Sequence, residues 1–256
     1  MFNISYTQQD HEVWRDLITQ QLEVVKKVAC SEFLAGLEEL DFSINQIPKI
    51  EEVSKKLYNA VGWTLVPVNV LVPNRDFFKM LTNKQFPVIG TIRHREEIDF
   101  YTDEAPDIFH ELFGHCPMIV NKRFAEMMHK FGKYANSSSD EVISLFAKIY
   151  WITFEFGIID NGTTKIFGAG ILPSKGEINQ VINSINTRKV PLNSYTKIEA
   201  TIQGGVMQPV YYKVDSLEAL YTLIEQDIEK LLFVNMISPT EYCNTFLTFQ
   251  KFQAAY

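Results

Sequence analysis

Residues 106–117 read PDIFHELFGHCP and carry the most distinctive chemistry of the chain. Pro106 and Asp107 are typical of a helix start, because proline suits the first helical turn and an acidic side chain interacts favourably with the positive end of the helix dipole. His110 and His115 follow on an otherwise apolar segment and flank a carboxylate. Buried imidazoles need polar partners, and a metal ion binds imidazole in its neutral form. The segment therefore predicts a helix that supplies two metal ligands.

The spacing of the two histidines restricts the kind of metal site. The H-E-x-x-H motif of zinc proteases places its histidines four residues apart on one helical face. Residues five apart are separated by about 500° of rotation and diverge by about 140° on a regular α-helix. His110 and His115 can therefore share an ion only if the helix ends or distorts between them, and we expect Gly114 and Pro117 to end it. This spacing argues against a zinc protease and requires a third ligand from another segment.

Glu155, in the apolar segment IYWITFEFG at residues 149–157, is the candidate third ligand. A carboxylate in such surroundings is costly unless it is paired or bound to a metal. Taken alone, a salt bridge to Arg or Lys is the more common explanation of a buried glutamate. Together with His110 and His115, it completes the two-histidine, one-carboxylate set of non-haem Fe(II) oxygenases, which leaves coordination positions open. The residues predict a mononuclear metal site, favour iron and leave the substrate open.

The rest of the chain reads as mainly α with minor, short β elements. At 256 residues it is within reach of a single large domain. The helices are predicted from the periodicity of apolar residues and from residues typical of helix starts and ends. The strands are predicted from runs of β-branched residues. The predicted helices are 9–40, 50–60, 74–80, 121–132, 141–156, 176–185, 216–232 and 240–250; the clearest short strands are 165–170 and 210–214.

Composition excludes several classes of protein. The formal charge of -7 is spread along the chain, so no basic face for nucleic acid is expected. No stretch approaches 18 consecutive apolar residues, and the N-terminus lacks the pattern of a secretory signal, so neither a membrane span nor secretion is expected. Three cysteines, an odd number placed far apart, are typical of free thiols in a reducing compartment. We expect a cytoplasmic globular protein.

Four segments, taken in order, resemble the pterin-dependent aromatic amino acid hydroxylases. They are PDxxHELxGHxP at 106–117, YWxTxEFG at 150–157, GAG at 168–170 and QPxYY at 208–212. The order and spacing of several segments agree, and the resemblance extends from about residue 10 to near the end of the chain. It is closest to the short bacterial members that hydroxylate phenylalanine.

The resemblance implies a fold and an activity. It implies the single-domain catalytic fold of the family over residues 1–256, with neither an N-terminal regulatory domain nor a C-terminal tetramerisation helix. The implied activity converts L-phenylalanine to L-tyrosine with O2, Fe(II) and tetrahydrobiopterin or a related reduced pterin, in a monomer or homodimer. Tryptophan or tyrosine hydroxylation remains an alternative. A zinc-dependent hydrolase with Glu111 as general base, or a non-catalytic metal- or pterin-binding protein, is a more distant one.

The resemblance also implies roles for individual residues. Glu111 and Tyr150 would be catalytic, and Arg93 would pair with the substrate carboxylate. The implied iron ligands are His110, His115 and Glu155; the implied pterin contacts are Val70, Val72, Phe77, Glu111, Ala147 and Tyr150; the implied substrate contacts are Arg93, Thr102, Pro106, Trp151, Phe156 and Ser174.

Overall fold

The computed structural model describes residues 4–97, 106–193 and 206–234, and within them the chain is mainly helical with short strands, as predicted. The α-helices are α1 (Gln8–Val28), α2 (Ser31–Leu40), α3 (Ile50–Val61), α4 (Asn74–Thr82), α5 (Cys116–Ile119), α6 (Lys122–Asn136), α7 (Asp140–Tyr150), α8 (Lys175–Asn183) and α9 (Leu217–Val234). The strands are β1 (Thr64–Val68), β2 (Gln85–Ile89), β3 (Gly157–Asp160), β4 (Thr164–Ile166), β5 (Arg188–Pro191) and β6 (Val210–Val214). Two π-helical turns, His110–His115 and Trp151–Glu155, and a short 3-10 turn, Arg95–Glu97, complete these elements.

The long helix predicted at 9–40 is wrong, because the chain forms two helices there. α1 ends at Val28, and Ala29 takes an extended conformation that forms an isolated parallel bridge with Ile166. The backbone N–H of Cys30 then donates to the carbonyl of Ile166 at 2.9 Å. A long-range backbone contact therefore interrupts a stretch whose side-chain periodicity is continuous.

The strands form two small sheets. β1 and β2 pair in parallel, with Thr64 opposite Gln85. The other sheet has the order β4-β3-β6-β5, in which β3 pairs antiparallel with β4 and parallel with β6. The strand predicted at 165–170 is confined to Thr164–Ile166, and the helix predicted at 240–250 lies outside the described residues.

Aromatic packing joins the helices behind the candidate site. Phe78 of α4 packs edge-on against Phe131 of α6 and Phe146 of α7, with ring centroids 5.9 and 6.3 Å apart. Phe131 also contacts Phe154, at 5.5 Å, in the second π turn. Edge-to-face pairs stabilise such a core beyond the burial of apolar area alone. This cluster holds the helix of the second π turn against α4 and α6. Among the helices of the described ranges, none is long and apolar enough to cross a membrane.

Candidate active site

The helix that carries His110 and His115 does not end between them. It is π-helical from His110 to His115 and continues as α5, with Pro117 near its start. Backbone hydrogen bonds of a π-helix join residues five apart, so side chains at this spacing come close together. The two Nε2 atoms lie 3.0 Å apart. The required distortion is thus a widened turn, and the prediction that Gly114 and Pro117 end the helix is wrong.

Gly114 has a different role, which is close packing. A Cβ atom at this position would lie 2.5 Å from the carbonyl oxygen of Ala169 and 2.8 Å from Cγ of Pro173. Any side chain here would push the π turn away from the 169–173 segment. The absence of a side chain therefore helps to determine where His115 sits.

A second π turn presents Glu155. It extends α7, and within it the buried hydroxyl of Thr153 donates to the carbonyl of Ile149 at 2.6 Å, a contact that bends helices. The carboxylate of Glu155 reaches both histidines: Oε1 lies 3.0 Å from Nε2 of His115, and Oε2 lies 3.5 Å from Nε2 of His110. The potential ligand atoms of all three residues fall within 4.8 Å of one another.

The electrostatics of this cluster suit a bound cation. Burial lowers the pKa of His110 to about 4, which leaves its imidazole neutral. Burial alone would raise the pKa of Glu155, but the nearby His115 and His110 hold it below its usual range. A neutral imidazole and an ionised carboxylate are the forms that bind metals.

The distances between the donors also fit a metal ion. An ion about 2.1 Å from each of three ligands on one octahedral face holds those ligands about 3 Å apart. The three separations observed here are 3.0, 3.0 and 3.5 Å. His110, His115 and Glu155 therefore match the donor set and the spacing of a facial metal site.

A cavity of about 370 Å³ opens beside this cluster. Its wall contains most of the residues expected to contact pterin or substrate. These are Val70, Val72, Phe77, Pro106, Glu111, Ala147, Tyr150 and Trp151, together with the three candidate ligands. A larger cavity of about 500 Å³, beside α3 and the start of α1, contains none of the predicted site residues.

Three predicted substrate contacts do not line the cavity, and one lies outside the described residues. Arg93 is buried and pairs with Asp107. Phe156 packs against Trp151, with ring centroids 5.0 Å apart. The hydroxyl of Ser174 accepts the backbone N–H of Glu177 at 3.2 Å and so caps α8. Thr102 falls within residues 98–105, which the structure does not describe.

Asp107 is a residue whose part in the site the sequence analysis missed. Its Oδ2 accepts from Nε of Arg93 at 2.8 Å, and its Oδ1 accepts from Nη2 at 2.9 Å. Oδ1 also accepts the backbone N–H of His110 at 2.9 Å. Burial alone would raise the pKa of Asp107, but the Arg93 guanidinium and these hydrogen bonds hold it below its usual range. An acidic residue three positions before His110 is the pattern of an N-terminal cap, and that signal could have identified the contact to His110.

Two further features of the cavity were not predictable from local pattern. Phe86, on β2, lines the cavity and packs against the ring of His115, with centroids 4.7 Å apart. The hydroxyl of Tyr150 is buried and has no hydrogen-bond partner among the described residues. Burial, with the charges of Glu155 and Glu111, raises the pKa of Tyr150, so the hydroxyl stays protonated. Burial also raises the pKa of Glu111 well above its usual range.

Comparison with known proteins places this chain in a family. Residues 1–250 match the model of the biopterin-dependent aromatic amino acid hydroxylases. The phenylalanine-4-hydroxylase of Vibrio cholerae is 36% identical over 235 residues, covering 91% of this chain and 81% of that protein.

Two solved structures are similar to this chain over most of its length. The apo structure of the cold-active phenylalanine hydroxylase of Colwellia psychrerythraea superposes with a TM-score of 0.83 and 34% identity, covering 90% of this chain and 88% of that one. The Chromobacterium violaceum phenylalanine hydroxylase with bound oxidised Fe(III) gives a TM-score of 0.82 and 32% identity, covering 88% of this chain and 82% of that one. Family match, sequence identity and structural likeness agree, and the chain belongs to the biopterin-dependent aromatic amino acid hydroxylases.

Proposed function

We propose that this protein hydroxylates L-phenylalanine to L-tyrosine with O2, Fe(II) and a reduced pterin such as tetrahydrobiopterin. The observation that carries the proposal is the convergence of His110, His115 and Glu155 beside an apolar cavity. Bacterial relatives that bear the name phenylalanine-4-hydroxylase support phenylalanine as the substrate over tyrosine or tryptophan.

In this proposal His110, His115 and Glu155 hold the iron. When bound, iron and a reduced pterin together supply the activation of O2 that ring hydroxylation needs. As ligands, these three side chains would leave coordination positions of the iron open for small molecules. The protein itself supplies the binding, the orientation and the exclusion of water.

The aromatic wall of the cavity is proposed to bind the pterin. The rings of Phe77 and Tyr150 meet edge to face, with centroids 5.0 Å apart, and both line the cavity. Val70, Val72 and Ala147 extend this apolar surface. The carboxyl group of Glu111 lies in the same wall and provides a polar contact for a ring that carries several hydrogen-bonding groups.

Pro106 and Trp151 are proposed to hold the substrate ring, with Phe156 behind the indole. Arg93 is proposed to bind the substrate carboxylate, a task that suits the planar guanidinium. Asp107 keeps that guanidinium in one orientation through two hydrogen bonds. We retain Thr102 and Ser174 as proposed substrate contacts by resemblance; the hydroxyl of Ser174 also caps α8.

The test is product formation from L-phenylalanine by the purified protein with Fe(II), a tetrahydropterin and O2, omitting each component in turn. Tyrosine that forms only in the complete mixture supports the proposal. Hydroxylation of tryptophan or tyrosine but not of phenylalanine would replace the substrate. Bound iron without O2 uptake for any of the three would favour a non-catalytic binding protein. Hydrolytic activity with zinc and no pterin would favour the hydrolase.

We further propose one catalytic domain that works on small molecules in the cytoplasm, as a monomer or homodimer. The match of the family model over residues 1–250 supports a single domain. The net charge of -7 disfavours nucleic acid as a partner. Light scattering coupled to size-exclusion chromatography measures the oligomeric state directly, and a trimer or larger assembly would contradict this part of the proposal.

A further inference from the structure

Glu177 is a buried carboxylate outside the metal cluster, with only 3% of its surface exposed. It lies in the first turn of α8, where Ser174 caps its backbone N–H. Its Oε1 accepts the backbone N–H of Gln208 at 3.2 Å, and its Oε2 accepts the hydroxyl of Tyr211. One oxygen therefore binds the segment that leads into β6, and the other binds a residue of β6 itself. Burying a carboxylate is costly, and these two hydrogen bonds offset that cost. We therefore expect Glu177 to have a specific role at this position.

Gln208 connects this carboxylate to the cavity wall. The side chain of Gln208 is buried; its Nε2 donates to the carbonyl of Val206 at 3.2 Å, and its Oε1 accepts the indole N–H of Trp151 at 3.4 Å. Trp151 lines the cavity that contains the candidate iron ligands. Glu177 and the indole are thus joined in series through Gln208, with one hydrogen bond at its backbone N–H and the other at its side-chain Oε1.

We propose that Glu177 is a positioning residue that acts through Gln208 to hold the indole of Trp151 in the wall that receives the substrate ring. The inference rests on the proposed function, because it holds that Glu177, Gln208 and Trp151 together contribute to the affinity for the aromatic substrate. Glu177 fixes the backbone at Gln208, and the amide of Gln208 then fixes the tilt of the indole. Without the hydrogen bond from Gln208, the indole can rotate against Phe156, and the cavity wall then fits the ring of the substrate less closely.

The proposed role of Glu177 depends on its hydrogen bonds and does not depend on its negative charge. In Glu177→Gln, the amide oxygen can accept from Gln208 while the amide nitrogen donates to the oxygen of Tyr211, because a phenolic hydroxyl both donates and accepts. In Glu177→Met, which has a similar volume, both contacts are lost. Gln208→Met keeps the backbone contact to Glu177 and removes the side-chain contacts of Gln208, which include the acceptor for the indole and the donor to Val206. Tyr211→Phe removes the other contact of Glu177, and Tyr211 does not line the cavity.

The kinetic test compares these four variants with the wild type. Glu177→Met and Gln208→Met should each raise KM for L-phenylalanine about threefold to tenfold, the effect of losing the one hydrogen bond that holds the indole, and leave kcat nearly unchanged. The double variant should match either single variant, because both act on one series. Glu177→Gln should restore most of the lost affinity. Tyr211→Phe should lower the unfolding temperature without changing KM.

A spectroscopic test needs neither iron nor pterin. The chain has three tryptophans, and Trp14 and Trp63 are fully buried. Subtracting the emission of each variant's Trp151→Phe counterpart isolates Trp151. Its emission should shift in Glu177→Met and in Gln208→Met, and should stay as in the wild type in Tyr211→Phe.

The two tests separate failure of this inference from failure of the proposed function. A wild type that does not hydroxylate phenylalanine overturns the function, and the emission of Trp151 still tests the positioning. Unchanged KM and emission in folded Glu177→Met and Gln208→Met would reduce Glu177 to a structural role, as would an equal rise of KM in Tyr211→Phe. If Glu177→Met does not fold, Gln208→Met and Glu177→Gln decide between these results.

Discussion

Arg93 and Asp107 form a buried bidentate ion pair, with Nε 2.8 Å from Oδ2 and Nη2 2.9 Å from Oδ1. The same carboxylate accepts the backbone N–H of His110 at 2.9 Å. Asp107 thus orients a proposed substrate anchor and a proposed metal ligand at once. A change at this one carboxylate should therefore affect substrate affinity, the metal site and stability together.

Asp107→Asn tests this link. The amide keeps the shape of the side chain but removes the negative charge of Asp107 from its buried pair with Arg93, and breaking a buried pair in this way costs about 3 to 5 kcal/mol. Urea unfolding should show this loss, and KM for phenylalanine should rise in the folded fraction. Asp160→Asn is the matched control, because its pair with Lys213 is partly exposed and should contribute less than about 1 kcal/mol. Equal losses in the two variants would contradict a special role for Asp107.

Glu155→Ala should abolish hydroxylation and greatly weaken iron binding, because it removes one of three donors from the proposed facial site. Elemental analysis of the protein after equilibration with Fe(II), together with turnover, measures both effects. Glu141→Ala changes an exposed carboxylate on the same helix and should retain full iron content. Stoichiometric iron and normal turnover in the Glu155 variant would remove this residue from the site.

Tyr150→Phe should leave the pterin-free protein at least as stable as the wild type. The hydroxyl that it deletes is buried without a partner among the described residues, so its loss removes an unpaired polar group. If pterin supplies the missing partner, KM for the pterin should rise about threefold to tenfold. Tyr211→Phe is the contrasting variant, since its hydroxyl donates to Glu177 and its loss should cost about 1 to 3 kcal/mol. A large loss of stability in Tyr150→Phe would show that the hydroxyl is already bonded within the protein.

Glu177 should make the stability of the protein depend on pH between about 4.5 and 7. Burial raises the pKa of this carboxyl from 4.5 to about 7, against the hydrogen bonds from Tyr211 and Gln208, which lower it. In that window the folded state binds the proton more tightly than the unfolded state. The contribution of this proton binding to the free energy of unfolding is therefore fully present below pH 4.5 and is lost as pH rises through 7. The free energy of unfolding changes by up to about 3 kcal/mol over this range.

The measurement is urea unfolding of the wild type and Glu177→Gln across this range of pH. The amide does not titrate, so the free energy of unfolding of the wild type should fall relative to the variant as pH rises. Parallel curves for the two proteins would mean that the pKa of Glu177 is the same in the folded and unfolded states.

Local sequence was sufficient for much of the fold and for the chemistry of the metal cluster. Side-chain periodicity predicts most of the helices, because the apolar face of each helix must be buried whatever it packs against. The residue types and spacing at 110–115 and 155 identify the donor set, since only a few side chains bind metals. The four segments, taken in order, resemble the family, and the match of the family model over residues 1–250 confirms it.

Tertiary structure alone decided how these parts meet. The sequence shows only that the helix must be distorted between His110 and His115. The structure shows that this distortion is a π turn and not the end of the helix, and that the 169–173 segment packs closely against the turn at Gly114. The pairing of Arg93 with Asp107 joins residues fourteen apart, and the contact between Glu177 and Gln208 joins residues thirty-one apart. Such contacts depend on which backbone segments lie side by side. Local pattern determines which faces of an element are apolar and which groups are reactive, whereas the partner of each buried polar group is determined by the packing of segments distant in the chain.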